Sequence, residues 1–521
     1  MRKFNVTGTC IKSRHYVANT DEKIKKIIDL IDDEYYFTIN RPRQYGKTTT
    51  LELLHQSLNE EYLVLSLSLE NVGKESYIDA KTFIKMLYDK IKDQLEMLSA
   101  DDLIPLVEQM KDLESFHDLS RFITRFAKES DKETILIIDE VDDGSNNAIF
   151  LKFLGVLRSK YLLRTTKRDV TFKSVILAGV HDVKNLRHKV RDGDDAQDNS
   201  PWNIAEDFNV DMSLSELEIA SLLEDYLTEH PEMQLDIPVI ASKIHYFTNG
   251  YPFLASYLCK MIDEQFTGVD KWSIHNLEQA VNKLLLIKNS NFDSLIKNLK
   301  NHQDLASLVH SILLEGEDIE YSVSGEAMEK GLMYGVLACG ADNKFIIHNP
   351  IYEMKIYSYL TDEMKTKSKS LLKQRPVAQY LTDNGALDLE LMMEKYSAYL
   401  KDLHDDHRDS FIEENARLLL SIFIKTIING VGFMYREPVI SDRRRLDVLI
   451  VYNQFKYLIE LKIWHGDSYY EKAKAQLADY LARENLDVGY MIIHDFRKER
   501  HQRFTNEIVT VAGKTLKVYF V

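Results

Sequence analysis

The stretch Ile39–Leu51, INRPRQYGKTTTL, limits what this chain can fold into more than any other. It closes an apolar run, Tyr35-Tyr36-Phe37-Thr38-Ile39, that reads as a buried strand. It then opens Thr48-Thr49-Thr50-Leu51-Glu52-Leu53-Leu54, which reads as a helix. A strand, a tight loop ending Gly-Lys-Thr and a helix turn successive backbone N–H groups and the positive end of a helix toward phosphates. In such a loop Lys47 reaches the β- and γ-phosphates of a nucleoside triphosphate, and the Thr48 hydroxyl ligates Mg²⁺. The usual pattern, G-x-x-x-x-G-K-[ST], has glycine where this chain has Arg41. Taken alone, the half-motif also describes a strand–turn–helix with a solvated lysine.

A second apolar run supplies the other half of the site. Thr134-Ile135-Leu136-Ile137-Ile138 leads into Asp139-Glu140. Uninterrupted β-branched residues suit a central parallel strand buried on both faces. Acids at its carboxyl end stand where open α/β sheets bind ligands. Asp139 is expected in the Mg²⁺ shell and Glu140 beside the attacking water. An acidic turn after a strand is the plain alternative, but the Gly-Lys-Thr loop upstream reinforces the functional reading.

The loop Arg41-Pro42-Arg43-Gln44-Tyr45-Gly46-Lys47-Thr48 resembles the R-P-R-x-[FY]-G-K-[ST] loop of the AAA-ATPase-like family of bacterial P-loop proteins. In that family arginine regularly replaces the first glycine. The resemblance implies that Arg41 through Thr48, with Thr49 and Asp139, bind ATP, and that a nuclease-like domain follows. It also places Tyr16-Val17-Ala18-Asn19-Thr20 near the adenine, although an acid and a lysine are commoner there. After the strand Val175–Val180, His181 or Asp182 would sense the γ-phosphate, or would lie in a solvated turn. Ser200-Pro201-Trp202-Asn203-Ile204-Ala205 resembles an S-P-[FW]-N-I-A segment of the same group, with no job that physics assigns from sequence. In the helical lids of related signalling ATPases a G-x-P turn approaches the nucleotide. Gly250-Tyr251-Pro252 is either that turn or ordinary helix punctuation.

Composition sets the limits. At 521 residues the chain has room for about two to four domains. With 45% hydrophobic and 28% charged residues it is of ordinary soluble type. No apolar run approaches the roughly 18 residues of a spanning helix, so no membrane is expected. The N-terminus lacks the apolar core of a signal peptide. The three scattered cysteines fit a reducing compartment and no disulfide or zinc framework, so the cytoplasm is expected. A formal net charge of −16 argues against a general nucleic-acid coat protein and requires any nucleic acid to be gripped at a local basic patch.

Strand–helix alternation over roughly 35–210 argues a doubly wound α/β domain with a parallel sheet. We place a P-loop AAA-ATPase-like domain at 1–212, a helical lid with a winged-helix-like module at 213–375, and a nuclease-like domain at 376–521. Ser213-Leu214-Ser215-Glu216-Leu217-Glu218 carries a capping serine ahead of acids. Residues 305–360 have the order of a winged helix, and their acidic helices favour packing over DNA reading. The cluster His404-Asp405-Asp406-His407-Arg408-Asp409 is read as solvated rather than as a metal site.

The last 110 or so residues hold a second constellation. An amphipathic helix from Phe411 to Ile428 precedes a strand at Phe433–Val439 and two more at Leu446–Val451 and Lys456–Lys462. A hairpin sets Asp447 beside Glu460, and strand alternation points Glu460 and Lys462 to one face. Asp447 and Glu460 suit Mg²⁺ or Mn²⁺ through oxygen. Lys462 suits water activation and charge stabilisation. Glu413 is the preferred further acid, because Glu414 faces about 100° away. The run resembles the PD-(D/E)xK nuclease superfamily through Arg445-Leu446-Asp447, Ile459-Glu460-Leu461-Lys462 and Gln476-Leu477-Ala478-Asp479-Tyr480. The fold implied is an α/β restriction-endonuclease-like domain. By that resemblance Gln476 approaches the substrate phosphate or the lysine, while Tyr480 packs. Arg436, Arg443, Arg444, Arg445, Arg497, Lys498 and Arg500 form either a phosphate grip or a solvated basic surface.

These features support an ATP-controlled, metal-dependent nuclease acting on DNA. An arginine finger, Arg187 or Arg191, would come from another subunit of a homo-oligomer. The competing readings are a regulatory or signalling ATPase whose nuclease-like domain only binds, and a non-hydrolysing nucleotide sensor, which the intact Glu140 disfavours.

Overall fold

The computed structural model describes residues 2–144, 147–180, 202–315, 319–322, 325–340, 342–367, 377–405, 419–421, 423–424, 427–428, 433–436, 448–452, 455–495 and 504–521. The chain divides into two compact units. One is Met1–Leu284 with Ser324–Ala338; the other is Leu285–Val323 with Cys339–Val521.

The first unit is built on a four-stranded sheet of β1 (Phe37–Asn40), β2 (Leu63–Ser68), β3 (Thr134–Asp139) and β4 (Ser174–Gly179), in the order β1-β4-β3-β2. Every pairing is parallel, with Ile39 opposite Ala178, Ile137 opposite Ile176 and Ser68 opposite Asp139. The carboxyl ends Asn40, Ser68, Asp139 and Gly179 therefore share one rim. Helices α1 (Asp21–Asp32), α2 (Lys47–Leu58), α3 (Ala80–Met97), α4 (Phe116–Glu129) and α5 (Ala148–Thr165) alternate with the strands. Leu65, Leu67, Leu136, Ile138, Val175 and Leu177 form a core with Phe83, Phe122 and Phe153 from those helices. All six strand residues sit at spacings of two, the period that places a row on one sheet face.

The segment with no job assigned from sequence closes the free edge of this sheet. Trp202 is fully buried, stacks on Tyr36 and donates its indole N–H to Thr38 Oγ1 at 3.0 Å. Glu206 N then donates to Tyr36 O at 2.7 Å, continuing β1 by one bridge. Phe208 stacks on Phe37 with 6° between the rings. An edge strand left bare would expose its N–H and C=O groups, and this segment covers part of that edge.

Four helices follow: α6 (Glu216–Leu227), α7 (Ile237–Thr248), α8 (Pro252–Gln265) and α9 (Ile274–Leu286). The capping serine is Ser215, whose Oγ accepts from Glu218 N while Ser215 N donates to the Glu218 carboxylate at 2.7 Å. The N-terminal segment is strapped to α6. The Arg2 guanidinium meets Asp225 at 2.9 Å and Glu229 at 2.7 Å, and Phe4 and Tyr16 pack on Tyr226. Helix α10 (Glu326–Met333) also belongs to this unit.

In the expected winged-helix region the structure has helices Gln303–His310 and Pro350–Lys367 and short strands β5 (Leu337–Cys339) and β6 (Phe345–Ile347). Gly331–Met333 ends α10.

The second unit carries a six-stranded mixed sheet. Its strands are β7 (Phe433–Arg436), β8 (Val448–Tyr452), β9 (Phe455–Ile463), β10 (Val488–His494), β11 (Thr505–Val511) and β12 (Lys514–Phe520), in the order β11-β12-β10-β9-β8-β7. Strands β7, β8 and β9 form an antiparallel meander. Helix α11 (Asp467–Arg483) crosses over to β10, which runs parallel to β9, and β12 runs parallel to β10. Strand β11 returns antiparallel through Ala512 (φ 50°) and Gly513 (φ 78°), a two-residue loop of the twist hairpins favour. Leu458 of β9, Met491 and Ile493 of β10 and Val518 of β12 pack under Ala473, Leu477, Tyr480 and Leu481 of α11. Of the helix expected at Phe411–Ile428, only some residues of its second half are described, and they are helical.

Replacing Trp202 with alanine empties the site under β1 and strands the Thr38 hydroxyl. We expect a loss of about 3–5 kcal/mol, read as a lowered first transition in thermal unfolding of the full chain. An unchanged transition would mean the segment does not brace the sheet.

Candidate functional site

The loop from Asn40 to Lys47 leaves β1 at the shared rim and turns into α2. Gln44 (φ 58°) and Gly46 (φ 83°) are left-handed, and Gly46 is the N-cap of α2. Left-handed residues within a tight turn bring neighbouring N–H groups to one side, the concavity that receives anions. Lys47 is 7% exposed, and its ammonium donates to Arg41 O at 2.9 Å and Pro42 O at 3.1 Å. An ammonium has three N–H donors, so one direction remains for a phosphate oxygen. Burial pulls its pKa below the ordinary lysine value, opposed by the charges of Glu140, Asp139 and Asp142.

Thr48 Oγ1 donates to Asp139 Oδ2 at 3.2 Å, so the hydroxyl at the helix start meets the carboxylate at the end of β3. Both are hard oxygen donors of the kind Mg²⁺ takes. Glu140, the next residue, is left-handed (φ 55°), and its N–H donates to Asp139 Oδ1 at 2.8 Å. Burial raises the Glu140 carboxyl above the usual range, and the neighbouring Asp139 raises it further, against Lys47. Arg43 acts on both Lys47 and Glu140 through its charge. Thr49 accepts Cys10 N at 3.1 Å, tying the N-terminal segment to α2.

Arg41 commits its guanidinium elsewhere. It donates to Asn40 O at 2.8 Å and Val210 O at 2.7 Å, and lies 5.1 Å over the Phe208 ring. Tyr45 is buried edge-on against Tyr251, 4.8 Å between centroids.

Two residues that the sequence reading left without a role, Asp142 and Gly335, hold this site together with the Gly-Tyr-Pro turn. Asp142 Oδ2 accepts Val180 N at 2.7 Å, joining the acidic end of β3 to the end of β4. The Tyr251 hydroxyl donates to Arg43 O at 2.5 Å, and a Cβ on Gly46 would lie 3.8 Å from Pro252. The Gly-Tyr-Pro turn between α7 and α8 thus touches the phosphate loop. Gly335 (φ 66°), just past α10, faces Pro42 so closely that a Cβ there would come within 2.7 Å of its ring. No local pattern marks Asp142 or Gly335, because both act on residues distant in sequence. His181, Asp182, Arg187 and Arg191 lie outside the described residues.

Phosphate loop, buried lysine, helix start and paired acids on a parallel sheet define a P-loop nucleotide-binding fold. The AAA-like domain family matches residues 6–354, and the chain belongs to it. Among solved structures, the Walker-type ATPase of Pyrococcus abyssi is similar over 68% of this chain and 99% of its own, at 14% identity and a TM-score of 0.46. The ORC2 protein of Aeropyrum pernix, with ADPNP and ADP, is similar over 67% of this chain and 94% of its own, at 12% identity and a TM-score of 0.36. The ORC1 protein of the same organism, in complex with DNA, gives 67%, 94%, 11% and 0.31. No curated protein sequence matches. Among the described residues no helix is long and apolar enough to cross a membrane.

The second unit brings part of the other constellation together. Glu460 is fully buried in β9 with Lys462 Nζ 2.6 Å from its Oε1. By alternation both share a face with Leu458, which packs under α11. Gln476 of α11 donates to the Tyr480 hydroxyl at 2.9 Å, and Tyr480 is buried in the core. The β8–β9 register begins at Val448 opposite Ile459, one residue short of Asp447. Asp447, Glu413, Arg443, Arg444, Arg445, Arg497, Lys498 and Arg500 lie outside the described residues. So do His407 and the side chains of His404 and Arg436. Among the described residues no group of three metal-ligating side chains forms.

Gly335→Ala pairs a strained left-handed residue with a clash against Pro42. Strain of about 1–2 kcal/mol passed to the loop corresponds to roughly tenfold weaker nucleotide binding, measured by titration with a fluorescent ATP analogue. Gly8→Ala, also left-handed but with nothing within 4 Å, is expected to bind normally.

Proposed function

We propose that the first unit binds and hydrolyses ATP, and that the second is a metal-dependent phosphodiesterase of PD-(D/E)xK type acting on DNA under control of the nucleotide. The observation that carries the first half is the buried Lys47, pinned by two loop carbonyls with one donor left, beside Thr48 and Asp139. Lys47 and the loop N–H groups hold the β- and γ-phosphates. Thr48 and Asp139 are the residues that would hold Mg²⁺. When bound, the ion neutralises charge on the phosphate oxygens. Glu140 orients the attacking water and takes its proton. Its raised pKa brings it closer to the operating pH, where a base is most effective.

For the second half, the support is topological and chemical. An antiparallel meander, a crossover helix and a parallel strand set Glu460 and Lys462 on the face covered by the helix that bears Gln476. Asp447 and Glu460 would hold Mg²⁺ or Mn²⁺, Lys462 would steady the developing charge, and Glu413 and Gln476 would complete the site. One observation favours the regulatory reading instead. The full burial of Glu460 against its own Lys462 also suits a structural ion pair in a domain that only binds DNA or a partner.

Glu140→Gln should lower ATP turnover by about 100-fold or more while nucleotide binding persists. Because the carboxylate is the active form and its pKa is raised, turnover in the wild type should fall off on the acid side above the usual carboxylate range. A wild type that binds ATP without turning it over would remove the hydrolytic reading. For the second unit, wild type and Lys462→Ala are incubated with linear, circular and single-stranded DNA, with Mg²⁺ or Mn²⁺, with and without ATP. Cleavage lost in a variant of unchanged melting temperature supports the nuclease. ATP turnover with no cleavage under any condition moves the assignment to the regulatory ATPase.

A further inference from the structure

Arg41 stands where phosphate loops of this kind place a glycine, and it does more than fill that place. Its own carbonyl is one of the two acceptors that hold the Lys47 ammonium, at 2.9 Å. Its N–H donates to Gly179 O at 3.2 Å, and its guanidinium is fixed by Asn40 O, Val210 O and the Phe208 ring. The residue is thus gripped at its N–H and at the end of its side chain, and what remains is a carbonyl facing the lysine. A glycine can offer the same carbonyl but has no side chain to fix its orientation. The far end of the grip is the segment that closes the β1 edge. Phe208 itself stacks on Phe37 of β1, and Leu214, farther along, donates from its N to Gly250 O at 2.7 Å beside the Gly-Tyr-Pro turn.

We propose that Arg41 is a positioning residue for Lys47, setting the lysine through its own carbonyl, and that Phe208 and Val210 are its anchor. This rests on the ATPase reading of the same site. Restoring the usual glycine should therefore harm the reaction. A lysine displaced by a fraction of an ångström still attracts phosphate but no longer follows the charge that develops in the transition state.

The test measures ATP turnover and, separately, ATP affinity for the full chain. Arg41→Gly should lower kcat by about tenfold to a hundredfold, with affinity changed by less than about threefold. Arg41→Lys keeps the charge over the Phe208 ring with fewer donors and should recover part of the loss. Phe208→Ala leaves Arg41 in place without its ring and should lower kcat in the same direction by less. Melting temperatures are compared throughout. An Arg41→Gly variant with wild-type kcat overturns the inference. So does one whose affinity and melting temperature fall in step with kcat, since that marks general damage to the loop. A wild type with no ATP turnover overturns the reading beneath it instead, so the two failures are distinguishable.

Discussion

The first unit depends on keeping one ammonium almost out of water. A buried charge without partners costs several kcal/mol, so Lys47 is tolerable only where acceptors are held ready for it. Two carbonyls of its own loop do this, and the acids Asp139, Glu140 and Asp142 supply the opposing field. Those carbonyls must not drift. Arg41 is bolted to the edge segment, Arg43 is held through its carbonyl by Tyr251, and Pro42 is backed by Gly335. The loop carbonyls are thus fixed by groups outside the loop, and positions set in advance lower the ordering cost of binding.

How much of this could be read from the sequence follows the range of the interactions. The strand–loop–helix around Lys47 and the apolar run into Asp139 are local patterns, and the structure has them within a residue or two of the expected bounds. The capping serine of α6 is equally local. Asp142, Tyr251 and Gly335 act across the fold and leave no periodic signature. The tryptophan segment could be recognised by its residues but not understood, because its partners Tyr36 and Thr38 lie far upstream. Beyond the Gln476 helix, β10 is a short apolar run that periodicity alone does not separate from a helix. The edge strand β11 has only a short apolar row, Val509 and Val511, at its end, and its first four residues are exposed.

The second unit raises the same issue in a different form. Burying Glu460 beside Lys462 is an expensive way to hold a sheet together, since well-packed apolar residues serve as well or better. The pair lies on the sheet face that packs under α11, whose Gln476 donates to the Tyr480 hydroxyl. The same pair suits either reading, as a structural ion pair or as part of a site whose charges are used.

The close fit of Gly335 on Pro42 also bears on how the protein is made. The phosphate loop emerges from the ribosome early, yet the residue that backs it is encoded almost three hundred positions later, after a long excursion into the other unit. A nascent chain paused before Gly335 carries the whole loop from Arg41 to Thr48 but lacks the residue that backs it. Such long-range closure is slow and leaves apolar surface exposed while it waits. Competence to hold a nucleotide firmly is thus tied to synthesis well past the motif itself. A truncation that keeps the whole motif but stops short of this turn is, for that reason, a poor surrogate for the native unit.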